Sequence, residues 1–290
     1  MNRMDKEKHV KRGYLEEDYK IFYLEDIVSK EIEYHYHDFD KILFFFQGNI
    51  EYTIEGKVYR LIPNDIILVP QGDSHKIELE DVIKEDASYI RLVIYISPQY
   101  LMQYKEGERC LRDCFLQVRE QYSHVIRVKD KKESDLLQLA KLLKQSVIHG
   151  KEEPFANLYQ KTVLNQFLIA LNKKMEEDSL CFVDTSHCNK KIVEIIHYIN
   201  NHLTDEICID SLSEKFYISK YHMMRQFKAE TGYTIGNYLN QKRLLLAREL
   251  LKQGEPVTKV CLDVGFKEQS TFTRAYKQLF GETPSKRGSV

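Results

Sequence analysis

Three histidines and a lysine raise the first chemical question. In the stretch "EYHYHDFDKILFFF", from Glu33 to Phe46, His35 and His37 stand one residue apart and Lys41 follows; His75 lies further on in "PQGDSH". Residues i and i+2 of a strand share a face, so His35 and His37 can converge while His75 approaches from another strand. Three imidazoles suffice for a divalent metal ion. Lys41 has the same parity as the histidine pair, so its ammonium would repel a cation held there; Asp40 has the opposite parity. Three readings stay open: a metal site, histidines hydrogen-bonded within a filled core, and a pocket. His and Lys among aromatic walls suit a small polar or anionic effector such as a sugar, sugar acid or carboxylate.

The second constellation is a repeat. "SKYHMMRQFKAETGYT" from Ser219 overlays "EQSTFTRAYKQLFGET" from Glu268 at an offset of 49, pairing Met223 with Phe272, Arg225 with Arg274 and Gly232 with Gly281. Each copy follows a short helical stretch, "IDSLSEKF" or "VTKVCLDV", and a tight turn, with one extra residue in the second turn. A short helix, a turn and a longer basic helix make helix-turn-helix logic, in which the second helix enters the DNA major groove. On helical wheels Met223 and Phe227, then Phe272, Tyr276 and Leu279, take the buried faces. That leaves Tyr221, Met224, Arg225 and Gln226, with Gln269, Ser270, Thr273 and Arg274, as candidates for base edges. Arg suits the guanine acceptor pair and Gln the adenine edge, while Lys220, Lys228 and Lys277 suit phosphates. The bland alternative is a small helical bundle with exposed polar positions.

These residues need scaffolds, and the chain has length for them. At 290 residues it accommodates two or three domains, and 43% hydrophobic with 30% charged residues is an ordinary globular balance. From about residue 20 to 97, short apolar or alternating runs broken by Gly and Pro predict an antiparallel β meander or barrel, with a hairpin turn at Glu55-Gly56. After Pro98 the period changes. Leu136, Leu139, Ala140, Leu143 and Val147 predict one amphipathic helix ending at Gly150, and Leu164, Phe167, Leu168 and Leu171 a second after Pro154. These helices either pack on the barrel or provide a dimerisation surface. The polar stretch "KKMEEDSLCFVDTSHCNK" reads as a linker. The expected domains are therefore a β-barrel over 1–100, a helical dimerisation or linker region over 101–175, a linker over 176–187 and an all-α unit over 188–290.

Charge separates the ends of the chain. From residue 188 onward there are 16 Lys and Arg against 11 Asp and Glu, and before it 27 against 33. A basic module joined to an acidic one fits a chain of which one part faces nucleic acid. No apolar run is long enough to span a bilayer and the charged opening "MNRMDKEKHVKRG" has no signal-peptide core behind it, so a cytoplasmic protein without a membrane partner is expected. Its six cysteines form no disulfide framework and no two-residue spacing; Cys110 and Cys114 stand at helical i, i+4 spacing, a minor candidate for redox or metal chemistry.

"VCLDVGFKEQSTFTRAYKQLFGETPSKRG" resembles the signature of the AraC family of bacterial transcription regulators. Val264-Gly265-Phe266, Phe272, Arg274, Gly281, Thr283 and Pro284 match it, and the first repeat matches too. The likeness spans about 100 residues. Its departures are Ser213 and Cys261 at the usual small positions and a Lys-Arg near the end. The resemblance implies two helix-turn-helix units joined by a long helix, here about Ile235 to Lys252, that set both recognition helices into successive major grooves about 34 Å apart. It also implies double-stranded DNA and RNA polymerase as partners, a homodimer, and activation more than repression. The region holding His35-x-His37, Gly48, Pro63-Asn64-Asp65, Pro70, Gly72 and His75 resembles the cupin-type sensor of that family. Cupin enzymes carry a metal on such histidines and a Glu, yet Lys41 stands where the carboxylate is expected. The preferred expectation is thus a regulator, no enzyme, with no metal and no cofactor, whose effector meets His35, His37, Lys41 and His75. A metal-dependent cupin enzyme fused to a DNA-binding domain is the rival.

Overall fold

The computed structural model describes residues 12–13, 15–27, 32–79, 88–128, 134–149, 153–177, 180–185 and 187–287. The chain divides into two compact units, 1–187 and 188–290.

The first unit is built on two sheets, antiparallel except for the short edge strand Arg12–Gly13, which runs parallel to Ile32–His37. One carries Ile32–His37, His75–Leu79, Ile50–Ile54 and Lys57–Arg60 in that spatial order; the other carries Leu180–Phe182, Val125–Val128, Ile66–Val69, Asp40–Gln47, Ser88–Ile96 and Tyr19–Ile27. Glu55 and Gly56, at φ +49° and +77°, make the tight turn between Ile50–Ile54 and Lys57–Arg60, as their residue types predict. Leu43, Phe45, Ile67, Val69 and Val93 of the second sheet meet Tyr52, Ile54, Tyr59 and Ile77 of the first in one apolar core. On its other face Ile42, Phe44, Ile66, Leu68, Leu92 and Ile94 pack against helices Asp135–His149 and Ala156–Glu176. Burial on both faces explains why "ILFFF" and "IILV" are unbroken apolar runs rather than alternating ones.

Two expectations need correction. The region 101–175 is not helical throughout: it holds a small hairpin, Lys105–Glu106 with Arg109–Cys110, and the strand Val125–Val128, which pairs with Ile66–Val69. The sheet domain therefore runs well past residue 100. Within the stretch read as linker, Leu180–Phe182 pairs with Val125–Val128, and the Thr185 hydroxyl donates to Val58 O at 2.7 Å and accepts from Val58 N at 3.1 Å. Apolar Leu180, 3% exposed, anchors that edge strand despite its polar neighbours. Gly150, the predicted end of the first helix, lies outside the described residues.

The second unit is all helical. Lys190–Asn201 leads into Ile209–Lys215 and Lys220–Thr231, then the long Ile235–Lys252, then Val257–Asp263 and Gln269–Phe280. Residues 216–219 form the first turn and 264–268 the second, which is longer by one. Gly232 and Gly281, both at φ +76°, close the two paired helices in the left-handed conformation that glycine adopts without strain.

Candidate functional site

His35 and His75 sit directly opposite each other on paired strands, and His37 is two residues on, so the three rings meet at centroid distances of 4.2, 4.6 and 5.1 Å. His35 is half-buried, while His37 and His75 are 6% and 0% exposed. The Nδ1 atoms of His35 and His75 each donate to a carbonyl two residues earlier, Glu33 O at 2.9 Å and Asp73 O at 3.0 Å. Those bonds fix the tautomer and leave Nε2 as the basic nitrogen. His75 Nε2 is buried without a protein partner. Burial, with smaller contributions from Lys41 and His35, holds His37 well below the ordinary imidazole range, and burial likewise lowers His75.

Lys41 projects from Asp40–Gln47 into the same interior, and its Nζ lies 2.9 Å from the Tyr52 hydroxyl. The Tyr52 ring stacks on His75 at 5.8 Å, and Phe39 stacks on His37 at 4.5 Å and contacts Tyr95 at 4.4 Å. Burial, helped by Arg91, brings the Lys41 ammonium down to about 7 from 10.5. All four predicted effector residues are thus together. Tyr52, Phe39 and Tyr95 were not predicted; the alternation around Glu55-Gly56 puts Tyr52 on the interior face but cannot say what faces it.

The ligand nitrogens of His35, His37 and His75 lie within 4.8 Å of one another. A tetrahedral ion with bonds of about 2.1 Å holds its nitrogens about 3.4 Å apart, so modest rotation brings these three to a divalent metal. The donor set fits such an ion, although Lys41 replaces the carboxylate. Cys110 and Cys114 form no second cluster. Cys110 is in a strand with Sγ 3.1 Å from Asp113, and Cys114 is buried in helix Asp113–Glu120, where burial raises its thiol.

In the helical unit, Met223, Phe227 and Thr231 face the core from one paired helix, and Phe272 and Tyr276 from the other. Tyr221, Met224, Arg225, Lys220 and Lys228 are exposed and Gln226 is half-buried. Gln269, Ser270, Thr273, Arg274 and Lys277, with Gln278, line one open concavity. Lys220 pairs with Asp210 across the turn, a bond it must release to reach a phosphate. Tyr217, 90% exposed at φ +50° in the first turn, was not predicted.

The AraC-like ligand binding domain profile matches residues 24–168, half of the chain, and a helix-turn-helix domain profile matches 212–287. Regulatory protein SoxS of Escherichia coli is 36% identical over 97 residues, 33% of this chain and 91% of SoxS. The chain belongs to the AraC family. HTH-type transcriptional activator RhaS of Citrobacter koseri is 27% identical over 252 residues, 86% of this chain and 85% of RhaS. Among solved structures, the C-terminal domain of AraT from Geobacillus stearothermophilus has 27% identity over 31% of this chain and 77% of its own, at a TM-score of 0.31. AraC-family membership makes this chain an effector-controlled DNA-binding transcription regulator, and the enzyme alternative falls because the relatives are regulators. No described helix is long and apolar enough to cross a membrane.

Proposed function

We propose that the effector of this AraC-family regulator is a small anionic or polar molecule, sugar-derived or a carboxylate, bound between the sheets by His35, His37, His75 and Lys41. One observation carries the reading: a lysine 6% exposed points into the interior it shares with three clustered imidazoles, and among the described residues its hydrogen-bond partner is the Tyr52 hydroxyl rather than a carboxylate. A buried ammonium without a counter-ion is costly, and an anion entering the pocket supplies one. Effector occupancy changes DNA affinity only to the extent that the effector binds the two states of the protein unequally. Base edges are read by Tyr221, Met224, Arg225 and Gln226 and by Gln269, Ser270, Thr273 and Arg274, with Lys220, Lys228 and Lys277 on phosphates. The RhaS name supports activation, the family resemblance supports RNA polymerase as the partner, and the protein acts in the cytoplasm as a homodimer. The test is calorimetry of monosaccharides, sugar acids and short carboxylates against wild type, Lys41→Met and His75→Ala. No heat with any of them, or wild-type affinity in both variants, removes the reading.

The imidazole geometry favours a second reading, in which a divalent transition metal sits on one ring nitrogen from each of His35, His37 and His75. Cobalt(II) then produces visible absorption at one equivalent in wild type and none in His75→Ala. Absent absorption excludes the metal without touching the Lys41 reading.

A further inference from the structure

The two halves of the DNA-binding unit have separate cores. Ile192, Ile195, Ile199, Leu212, Met223 and Phe227 form one; Val260, Val264, Phe272 and Tyr276 form the other. Helix Ile235–Lys252 serves both, giving Tyr238 and Leu239 to the first and Leu244, Ala247 and Leu251 to the second. Between Leu239 and Leu244 lies Arg243, only 9% exposed.

Each of its three guanidinium nitrogens donates to a main-chain carbonyl. Nε donates to Leu203 O at 2.6 Å, Nη2 to Asp205 O at 2.6 Å and Nη1 to Gly265 O at 3.0 Å. Leu203 and Asp205 follow the first helix of the first half; Gly265 is in the turn between the paired helices of the second. One rigid, planar fork therefore bonds the main chain of both halves. Gly265 sits at φ +83°, and a Cβ there would come 2.9 Å from the guanidinium and 3.0 Å from Thr204 O, so the backbone has been brought as close to Arg243 as glycine permits. A second tie between these loops, Lys267 Nζ to Glu206 Oε1 at 2.6 Å, is exposed on both sides and adds little.

We infer that Arg243 is a positioning residue that fixes the phase of the two DNA-facing helices and so sets the half-site spacing this regulator accepts. It rests on the reading that both Lys220–Thr231 and Gln269–Phe280 enter DNA grooves. One base pair inserted between half-sites moves the second by about 3.4 Å and turns it by about 35° around the duplex axis. Two cores hinged only on a shared helix could follow such a displacement by rotating. Three short bonds from a single fork to both halves oppose that rotation, because any relative turn lengthens at least one of them and leaves a buried donor unpaired.

The full-length protein is used to select sites from a random duplex pool, and the selected site is then rebuilt with one base pair added or removed between its halves. Wild type should lose at least tenfold in affinity with either change. In Arg243→Ala the penalty should shrink to about threefold or less while affinity for the unaltered site falls; Arg243→Lys, which cannot span three acceptors as a fork, should lie between. Gly265→Ala, which displaces the guanidinium without removing it, should flatten the ladder in the same way and serves if Arg243→Ala does not fold. A folded Arg243 or Gly265 variant that keeps the wild-type penalty overturns the inference alone. A wild-type selection that returns one motif instead of two at fixed spacing overturns it together with the two-groove reading.

Discussion

Asp73 holds His75 with its main chain and Arg119 with its side chain. Its carbonyl accepts from His75 Nδ1 at 3.0 Å; its carboxylate, 1% exposed, accepts from Arg119 Nη2 at 2.7 Å and from His124 Nε2 at 3.2 Å. Next to it Gly72 N donates to His37 O, and Asp40, fully buried, accepts from Arg112 Nε and Gln71 N at 2.8 and 2.7 Å. Arg112 and Arg119 bracket helix Asp113–Glu120, whose Cys114 N donates to Asn172 on the long helix Ala156–Glu176. A movement of the histidines on effector binding thus has a continuous hydrogen-bonded route to the helix layer.

Removing Arg119 should expose that dependence. Arg119→Met takes the guanidinium away from the buried Asp73 carboxylate, which should cost about 2–4 kcal/mol in urea unfolding of the full chain. Effector affinity should stay within a few fold while the effector's influence on DNA affinity falls. Retained coupling in a folded variant would falsify the route.

Lys41 makes effector binding pH-dependent. Because burial brings its ammonium to about 7, an anionic effector finds it charged below that value and increasingly neutral above it. Affinity for an acidic ligand should therefore be greatest near pH 6 and fall above pH 7 by up to tenfold per unit, whereas Lys41→Met should bind weakly with a flatter profile. Stability without effector runs the other way. Between about 7 and the unfolded value of 10.5 the unfolded chain holds the extra proton, so this group's contribution to stability rises with pH across that window. Paired unfolding curves of wild type and Lys41→Met at pH 7 and pH 9 check the sign.

The side chains proposed to face DNA divide by chemistry. Arg225→Ala or Arg274→Ala should each cost about 1–3 kcal/mol at the selected site and relax preference at one base pair. Lys228→Ala or Lys277→Ala should weaken all duplexes alike and reduce the slope of log affinity against log salt by about 1. Fluorescence anisotropy at several salt concentrations separates the two classes. Equal losses on specific and random duplexes for all four variants would contradict the assignment.

What was legible in the sequence was whatever a local period could carry. Each DNA-facing helix buries one stripe, so Met223, Phe227, Phe272 and Tyr276 were identifiable from spacing alone, and the residue types at Glu55-Gly56 marked a turn. Val125–Val128 and Leu180–Phe182 were not. They are strands of four and three residues whose partners lie more than 50 positions away, so no period marks them. The pocket was half legible for the same reason: parity put His35, His37 and Lys41 on one face, but only the fold sets Tyr52 against Lys41. Arg243 looks like any basic residue of an amphipathic helix, and its burial depends on two loops remote in sequence.

The long helix of the sensor unit leaves one face uncovered. Leu158, Tyr159 and Ile169 are 62, 49 and 44% exposed, and at 100° per residue they fall on one side of Ala156–Glu176, opposite buried Leu164, Leu168 and Leu171; Phe155, 80% exposed, caps the helix start. A row of large apolar side chains on water is the signature of an association surface, and a helix face related to itself by a twofold axis is the simplest self-complementary partner. The proposed homodimer should therefore form through this face. Leu158→Glu with Ile169→Glu places like charges across the axis without entering the core. Sedimentation should then give a monomer with an unchanged helical content, and operator affinity should fall by at least tenfold as the avidity of two linked DNA-binding units is lost. A dimer of wild-type strength in that variant would assign the interface elsewhere.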